Sequence, residues 1–265
     1  FSKFLQKIDP TLYSEYLSEK FLDSKGESKK KVQSVLPQFQ EPNFSIKRKI
    51  NLEKISDLPS GHWVRTYMEG RKIPVDKLSL FYFSPDFKAF VEEMGSSKAK
   101  DLMAGDPRLV IPFFDIDGNL FAFQGRALTN SKIRYISIKL NTDAPLIYGL
   151  DRVNKEALVY VVEGPIDSMF VKNSLAAAGS DLSRVLKEIP NPVFVFDNEP
   201  RNKEICKTMA KLLSSGKRFV IWPDSLREKD INDMILAGKD PEKIIKENTY
   251  EGLEAGARFA FWRKA

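Results

Sequence analysis

Acidic residues follow two predicted apolar strands, at positions where metal-dependent chemistry could take place. Glu163 comes directly after the apolar run 158–162 and leads into a Gly-Pro turn, so we expect its side chain to enter a crevice. Asp197 and Glu199 follow the apolar run 193–196, and two residues that are two apart on an extended chain can face the same side. Because ligands of open α/β sheets lie at the carboxyl ends of the strands, the three carboxylates are expected to converge.

Converging carboxylates repel one another, so they must either gain protons or bind cations. Their hard oxygen atoms suit Mg²⁺ or Mn²⁺. The chain has one cysteine, Cys206, and one histidine, His62, which are too few for a zinc site or for a histidine-activated nucleophile. We therefore expect both to be structural, and the three carboxylates to be the candidate catalytic and metal-binding groups.

A third acidic group, Lys229-Asp230-Ile231-Asn232-Asp233, opens a predicted helix. Asp230 could bind metal, or it could simply cap this helix. Asp167, four residues after Glu163, is open to the same two interpretations, because a carboxylate also stabilises the positive end of a helix dipole.

Strands and helices alternate after Asn154, which predicts a parallel sheet covered by helices on both faces. Its strands are expected at 158–162, 175–178, 193–196 and 219–222, and its helices from near Pro165 and at 182–188, 203–213 and 231–236. Two further helical segments, 241–248 and 250–264, close the chain, and their aromatic residues either dock on the core or present a surface to a partner.

The preceding residues predict a mostly antiparallel block. Its strands are expected at 109–114, 120–128 and 133–138, with an Asp-Gly hairpin turn between the first two. Helices are expected at 60–70, 74–79 and 85–104, after a first helix over 3–22 and a polar, basic linker over 23–43.

The net charge is +6, and most of the excess lies in residues 1–157, which carry 25 Lys and Arg against 20 Asp and Glu. This bias is compatible with nucleic-acid binding but is weak evidence when taken alone. No apolar run is long enough for a transmembrane helix, so no membrane association is expected. Because the chain begins at Phe1, we expect it to be a fragment of a longer protein.

The three acidic motifs resemble the Toprim signature of primases, topoisomerases and related nucleases. The signature is read here as Glu-Gly-x-x-Asp at 163–167, Asp-Asn-Glu at 197–199 and the acidic run at 229–233. Upstream, segments 108–112, 123–126, 134–136 and 146–150 resemble the basic subdomain of bacterial-type primases. The motif order agrees throughout, and the whole chain is similar to the DNA primases of T-even bacteriophages. One departure is Glu199, which stands where the family motif has Asp and lengthens that ligand by a methylene.

The resemblance implies an α/β fold: a Toprim parallel sheet with flanking helices, preceded by a mixed α+β basic subdomain. It divides the chain into an N-terminal helix and linker (1–43), a basic nucleic-acid-binding subdomain (44–155), a Toprim catalytic subdomain (156–240) and a C-terminal helical segment (241–265). It also implies a primase core that makes short RNA primers on single-stranded DNA in the cytoplasm of an infected bacterium. Zinc is expected only in the N-terminal domain that family members carry, outside these residues.

By the same resemblance, one metal ion is held by Glu163, Asp197 and Glu199, and a second by Asp197 with Asp230 or Asp233. The candidate contacts to template or incoming nucleotide are basic: Arg108, Arg126, Arg134, Lys229 and Arg201. Implied partners are the single-stranded template, ribonucleoside triphosphates, the replicative helicase and the single-strand DNA-binding protein. Two alternatives stay open: a Toprim nuclease or topoisomerase-like DNA-cleaving protein, and a non-catalytic module that binds single strands or helicase.

Overall fold

Ten strands form two five-stranded sheets in the computed structural model, which describes residues 48–179 and 182–264. The predicted helix over 3–22 and the linker over 23–43 lie outside the described residues. Both sheets belong to the part of the chain after the linker, and no helix among the described residues is long and apolar enough to cross a membrane.

The first sheet is an antiparallel meander in which sequence neighbours are also spatial neighbours, as the antiparallel block predicted. Its strands are β1 (Glu53–Lys54), β2 (Tyr82–Ser84), β3 (Arg108–Phe114), β4 (Leu120–Ala127) and β5 (Tyr135–Lys139). The predicted strands correspond to β3, β4 and β5, whereas β1 and β2 are too short to give a clear alternating pattern.

Helices of the first part of the chain pack on both faces of this sheet. They are α1 (Trp63–Gly70) and α2 (Phe87–Glu93), with 3₁₀ turns at Val75–Leu80 and Ser97–Asp101. The long helix predicted over 85–104 is wrong, because α2 ends at Glu93 and Gly95 follows with φ 75°, a left-handed conformation that interrupts a helix. Phe123 packs with α2, whereas Leu109 and Phe113 face the larger core shared with the second sheet.

The second sheet is parallel except at one edge, in the strand order β10-β9-β8-β6-β7. Its strands are β6 (Tyr160–Val162), β7 (Ser174–Ala176), β8 (Val193–Val195), β9 (Arg218–Val220) and β10 (Thr249–Tyr250). The predicted parallel sheet is confirmed for β6 to β9. The edge strand β10 was not predicted, and it pairs antiparallel with β9.

The flanking helices are α3 (Leu182–Glu188), α4 (Lys203–Ser214), α5 (Ile231–Leu236), α6 (Pro241–Glu247) and α7 (Gly252–Trp262). The helix predicted near Pro165 is only a 3₁₀ turn, Asp167–Phe170, because β7 begins four residues later. The C-terminal segment docks on the core, where Phe259 and Trp262 are buried and Trp262 Nε1 donates to Asn198 Oδ1 at 3.3 Å.

Candidate active site

A cavity of about 270 Å³ opens where the carboxyl ends of β6 and β8 meet the first sheet. Among the described residues, its wall includes four carboxyl side chains: Glu163, Asp167, Asp197 and Asp230. We call it the acid cavity. Arginine, tyrosine and amide side chains in or next to the first sheet, α1 and α5 also line this cavity.

Glu163 and Asp197 lie within one hydrogen bond of each other, as their positions at the ends of neighbouring strands predicted. The Asp197 backbone N–H donates to Glu163 Oε1 at 2.9 Å. Burial raises the pKa of Glu163. Burial and the negative charges of Glu163, Asp167 and Asp230 raise the pKa of Asp197 to about 8. The two strand ends therefore hold more negative charge than their surroundings stabilise.

Asp167 also belongs to the acid cavity. Its Oδ1 accepts the backbone N–H of Asn232 at 3.1 Å. Burial, with the charge of Asp230, raises the pKa of Asp167 to about 7. A Cβ on Gly164 would lie 2.8 Å from Asp167 Oδ2, so glycine at that position lets the carboxyl fold back against the turn.

Asp230 combines both of the roles considered for it. Its Oδ1 accepts the backbone N–H of Asp233 at 2.7 Å, which caps α5, and the residue also lines the acid cavity. Asp233 itself is exposed and is absent from the cavity wall, so of these two carboxyls only Asp230 belongs to the acid cavity.

Glu199 does not line the acid cavity, although its charge contributes to the raised pKa of Glu163. The expectation that it faces the same side as Asp197 required an extended chain, but the Glu199 N–H donates to the Asp197 carbonyl at 2.8 Å and closes a tight turn. Glu199 instead pairs with Lys229 Nζ at 3.2 Å and lines a separate surface groove with Arg201. Lys229 does line the acid cavity, whereas Arg201 does not.

Three arginines also line the acid cavity: Arg71, Arg126 and Arg134. Arg126 is almost fully buried, and its Nη1 donates to the hydroxyl of Tyr135, which also lines the cavity. Arg126 and Arg134 were predicted from the sequence, and Arg71 was not. Arg71 follows α1 and donates through Nη1 to Asn232 Oδ1, a contact between distant segments that no local pattern announces.

Arg108 is a correction, because the structure buries it away from the acid cavity. It is 1% exposed, and its Nε donates to Asp106 Oδ2 at 2.7 Å. Its remaining donors bond the Gly125 carbonyl, Ser131 Oγ and the Ile133 carbonyl. With every guanidinium nitrogen bonded inside the protein and the side chain only 1% exposed, Arg108 stabilises the first sheet and is not accessible to a phosphate.

Gly125 likewise has a packing reason rather than a ligand. A Cβ at this position would lie 2.4 Å from Cζ of the buried Phe87 ring. Glycine within a strand can mark a place where a ligand approaches the backbone, but the structure places an aromatic ring there.

No group of three or more His, Cys, Asp or Glu side chains within 48–179 and 182–264 is arranged to hold a metal ion. The donor chemistry nevertheless fits a divalent cation. Burial raises the pKa values of Glu163, Asp167 and Asp197, and the charges of neighbouring carboxylates raise them further: Glu199 acts on Glu163, and Glu163 and Asp230 act on Asp167 and Asp197. A cation among these groups would relieve both effects.

Similar proteins of known function provide further information on this chain. No family model matches the sequence. The chain is 36% identical to the DNA primase of enterobacteria phage T4, over 98% of the chain and 78% of the phage protein. Among solved structures it resembles a DNA primase domain from Pseudomonas aeruginosa, with a TM-score of 0.57 and 17% identity over 76% of each chain.

A second structural relative is the RNA polymerase domain of Mycobacterium tuberculosis primase DnaG, solved with a double-stranded DNA oligomer that has a 6-nucleotide overhang. Its TM-score is 0.57 at 15% identity, over 77% of this chain and 78% of that one. At sequence identities this low, the structural similarity shows a shared fold and nothing more specific.

Proposed function

Since this chain belongs to the DNA primases, which are nucleotidyltransferases that synthesise RNA primers, we propose that the acid cavity is where its nucleotidyl transfer takes place. The proposal rests on one observation: acidic and basic side chains line the same cavity. The acidic side chains include carboxyls with raised pKa values, and the basic ones include arginines. Phosphoryl-type transfer needs this combination, because it depends on positioning and charge neutralisation more than on a side-chain base.

Glu163, Asp167, Asp197 and Asp230 are the residues proposed to hold divalent cations, two in number, with Mg²⁺ or Mn²⁺ as the ions. Bound there, such ions would acidify an attacking 3′-hydroxyl and neutralise the triphosphate. Glu199 is assigned a rim position beside Lys229 in this proposal, because its carboxylate is already paired.

The basic side chains hold the substrates. We propose that Arg126 and Arg134 bind phosphate groups, since planar guanidinium donors match phosphate oxygens in pairs. Lys229 lies at the junction of the cavity and the Glu199 groove, where it can contact the triphosphate. In the reaction the primer 3′-oxygen bonds the α-phosphorus, the bond to the β-phosphate oxygen breaks, and pyrophosphate leaves.

The proposed partners are a single-stranded DNA template and ribonucleoside triphosphates, with the replicative helicase and the single-strand DNA-binding protein as macromolecular partners in the host cytoplasm. The similar fold of the M. tuberculosis domain, which was solved with overhanging DNA, supports the template. The helicase and the single-strand-binding protein follow from the family resemblance.

The test is primer extension by the purified chain, with Mg²⁺, ribonucleotides and single-stranded DNA carrying an annealed RNA oligonucleotide. We expect extension by the wild type and none by Glu163→Gln, which keeps the side-chain shape but removes the charge. Glu188→Gln is the matched control, because Glu188 forms a surface ion pair with Lys155 at the end of α3.

The outcomes separate the competing functions. Template cutting in place of extension would support the DNA-cleaving alternative, and binding without either reaction would support the non-catalytic module. Wild-type-like extension by Glu163→Gln would remove the acid cavity from the reaction.

A further inference from the structure

Tyr67, on the cavity side of α1, contacts two arginines from different parts of the chain. Its hydroxyl oxygen accepts Arg71 Nε at 2.9 Å and Arg126 Nε at 2.8 Å. Both guanidinium carbons also lie near its ring, at 5.5 and 5.9 Å from the centroid. Arg71 is one helical turn beyond Tyr67, whereas Arg126 comes from β4. One side chain thus fixes the relative position of two cations.

Among the described residues, neither Arg71 nor Arg126 has a carboxylate within ion-pair distance, although the charge of Arg71 acts on Asp167. Their terminal nitrogens bond neutral groups instead, the Asn232 amide oxygen for Arg71 and the Tyr135 hydroxyl for Arg126. Two cations held side by side in a cavity wall by neutral acceptors repel each other, and an anion between them removes that repulsion.

We propose that Tyr67 is a positioning residue that holds Arg71 and Arg126 as a pair for the phosphate groups of the incoming ribonucleoside triphosphate. The inference rests on the proposed function. With each Nε bonded to the tyrosine oxygen and each Nη1 bonded to a neutral acceptor, the Nη2 groups of both arginines have no hydrogen-bond partner among the described residues and can donate to phosphate oxygens.

The position of the Arg71 and Arg126 pair favours the triphosphate over template phosphates as the ligand of the pair. Arg71 bonds the side chain of Asn232, whose backbone N–H in turn bonds Asp167. Arg71 is therefore connected through one residue, Asn232, to the carboxyls that are the proposed location of the cations that accompany a nucleotide. A template strand need not approach these carboxyls.

The test is Tyr67→Phe, which removes one oxygen and keeps the ring. We expect the KM for ribonucleotides to rise about tenfold, equivalent to ~1.4 kcal/mol, with kcat changed less than about twofold. Inhibition by inorganic tripolyphosphate should weaken by the same factor, while the Kd for single-stranded DNA stays unchanged. Tyr82→Phe, the same deletion on β2 of the first sheet, is the matched control and should change none of these quantities.

Two results would overturn the inference: an unchanged KM in a stably folded Tyr67→Phe variant, or a weakened Kd for single-stranded DNA with an unchanged KM. If thermal denaturation shows that Tyr67→Phe is unfolded, Arg71→Lys decides, because it keeps the charge and removes the fork. A normal KM in that variant also overturns the inference.

Failure of the proposed function would look different. If the wild type does not extend primers, calorimetric titration with tripolyphosphate still measures the arginine pair. Weaker binding to Tyr67→Phe than to Tyr82→Phe then supports the pair, and equal binding refutes it.

Discussion

Asp197→Asn is expected to stabilise the metal-free protein at neutral and alkaline pH while abolishing its response to Mg²⁺. Burial and the charges of Glu163, Asp167 and Asp230 raise the pKa of Asp197 to about 8. Asparagine has nearly the same shape but cannot ionise. The substitution therefore removes the repulsion that the folded protein otherwise develops as the carboxyls lose their protons.

The folded and unfolded chains differ in the pH at which Asp197 loses its proton, and this difference decides how stability changes with pH. In the unfolded chain Asp197 loses its proton near its ordinary pKa of 3.8, whereas in the folded protein it keeps the proton until about pH 8. Between these values the unfolded state binds fewer protons, so the free energy of unfolding falls as the pH rises. The stability is fully present below pH 4 and is lost progressively up to pH 8.

The pKa difference of Asp197 also sets an upper bound on the stability that is lost. A pKa difference of about four corresponds to about 6 kcal/mol for an isolated group. The cavity is open to water, which screens the repulsion, so we expect about 2 kcal/mol. For a protein of this size, that free energy shifts the Tm by about 4–8 °C.

The assay is thermal denaturation between pH 5 and pH 9, in chelator and then in Mg²⁺. In chelator the wild-type Tm should fall with rising pH, and the Asp197→Asn Tm should fall less. Mg²⁺ should raise the wild-type Tm most at high pH, because bound cations stabilise the folded state in proportion to the charge they neutralise. Asp224→Asn, at an exposed surface position, is the control and should follow the wild type.

A wild-type Tm that is flat from pH 5 to pH 9 in chelator would show that the carboxyls are not under repulsion. A variant that loses stability equally at all pH values would indicate a packing defect instead. Either result would refute the electrostatic account of the acid cavity.

Two further predictions concern Glu199 and Arg108, which were candidate site residues but do not line the acid cavity. Glu199→Gln should change stability by less than about 1 kcal/mol and primer extension by less than tenfold, because the Glu199–Lys229 pair is solvent-exposed; activity assays and denaturation measure both. Arg108→Met should lower stability by about 3–5 kcal/mol in denaturant titration, since it leaves Asp106 and buried carbonyls unpaired, yet DNA affinity at a permissive temperature should stay within twofold of wild type.

The sequence predicted the second sheet well because its signals are local. Short apolar runs between helices specify buried parallel strands, and α3 and α5 begin and end at the predicted residues. Predictions from local sequence patterns were wrong where the backbone conformation of the folded protein overrides the pattern. Residues 85–104 have helical periodicity, but a glycine with positive φ stops the helix after Glu93.

The site was predicted where carboxyls end strands and missed where contacts join distant segments. Glu163 and Asp197 could be paired because neighbouring parallel strands place their ends together. Glu199 could not be placed, since a tight turn after β8 interrupts the extended chain that would have put its side chain on the same side as that of Asp197. Arg108 has the composition of a phosphate ligand, and only the surrounding strands reveal that it is fully bonded inside the protein.

The arrangement of the acid cavity explains why neither half of the chain would suffice for the proposed chemistry. The carboxyls belong to the second sheet and its helix α5, and the arginines belong to α1 and the first sheet. Asn232 joins the two sets, because its backbone N–H bonds Asp167 and its side chain bonds Arg71 at both the guanidinium and the carbonyl. Asn232 therefore couples the proposed cation-binding carboxyls to the proposed phosphate-binding arginines, so that both sets can act on one bound nucleotide.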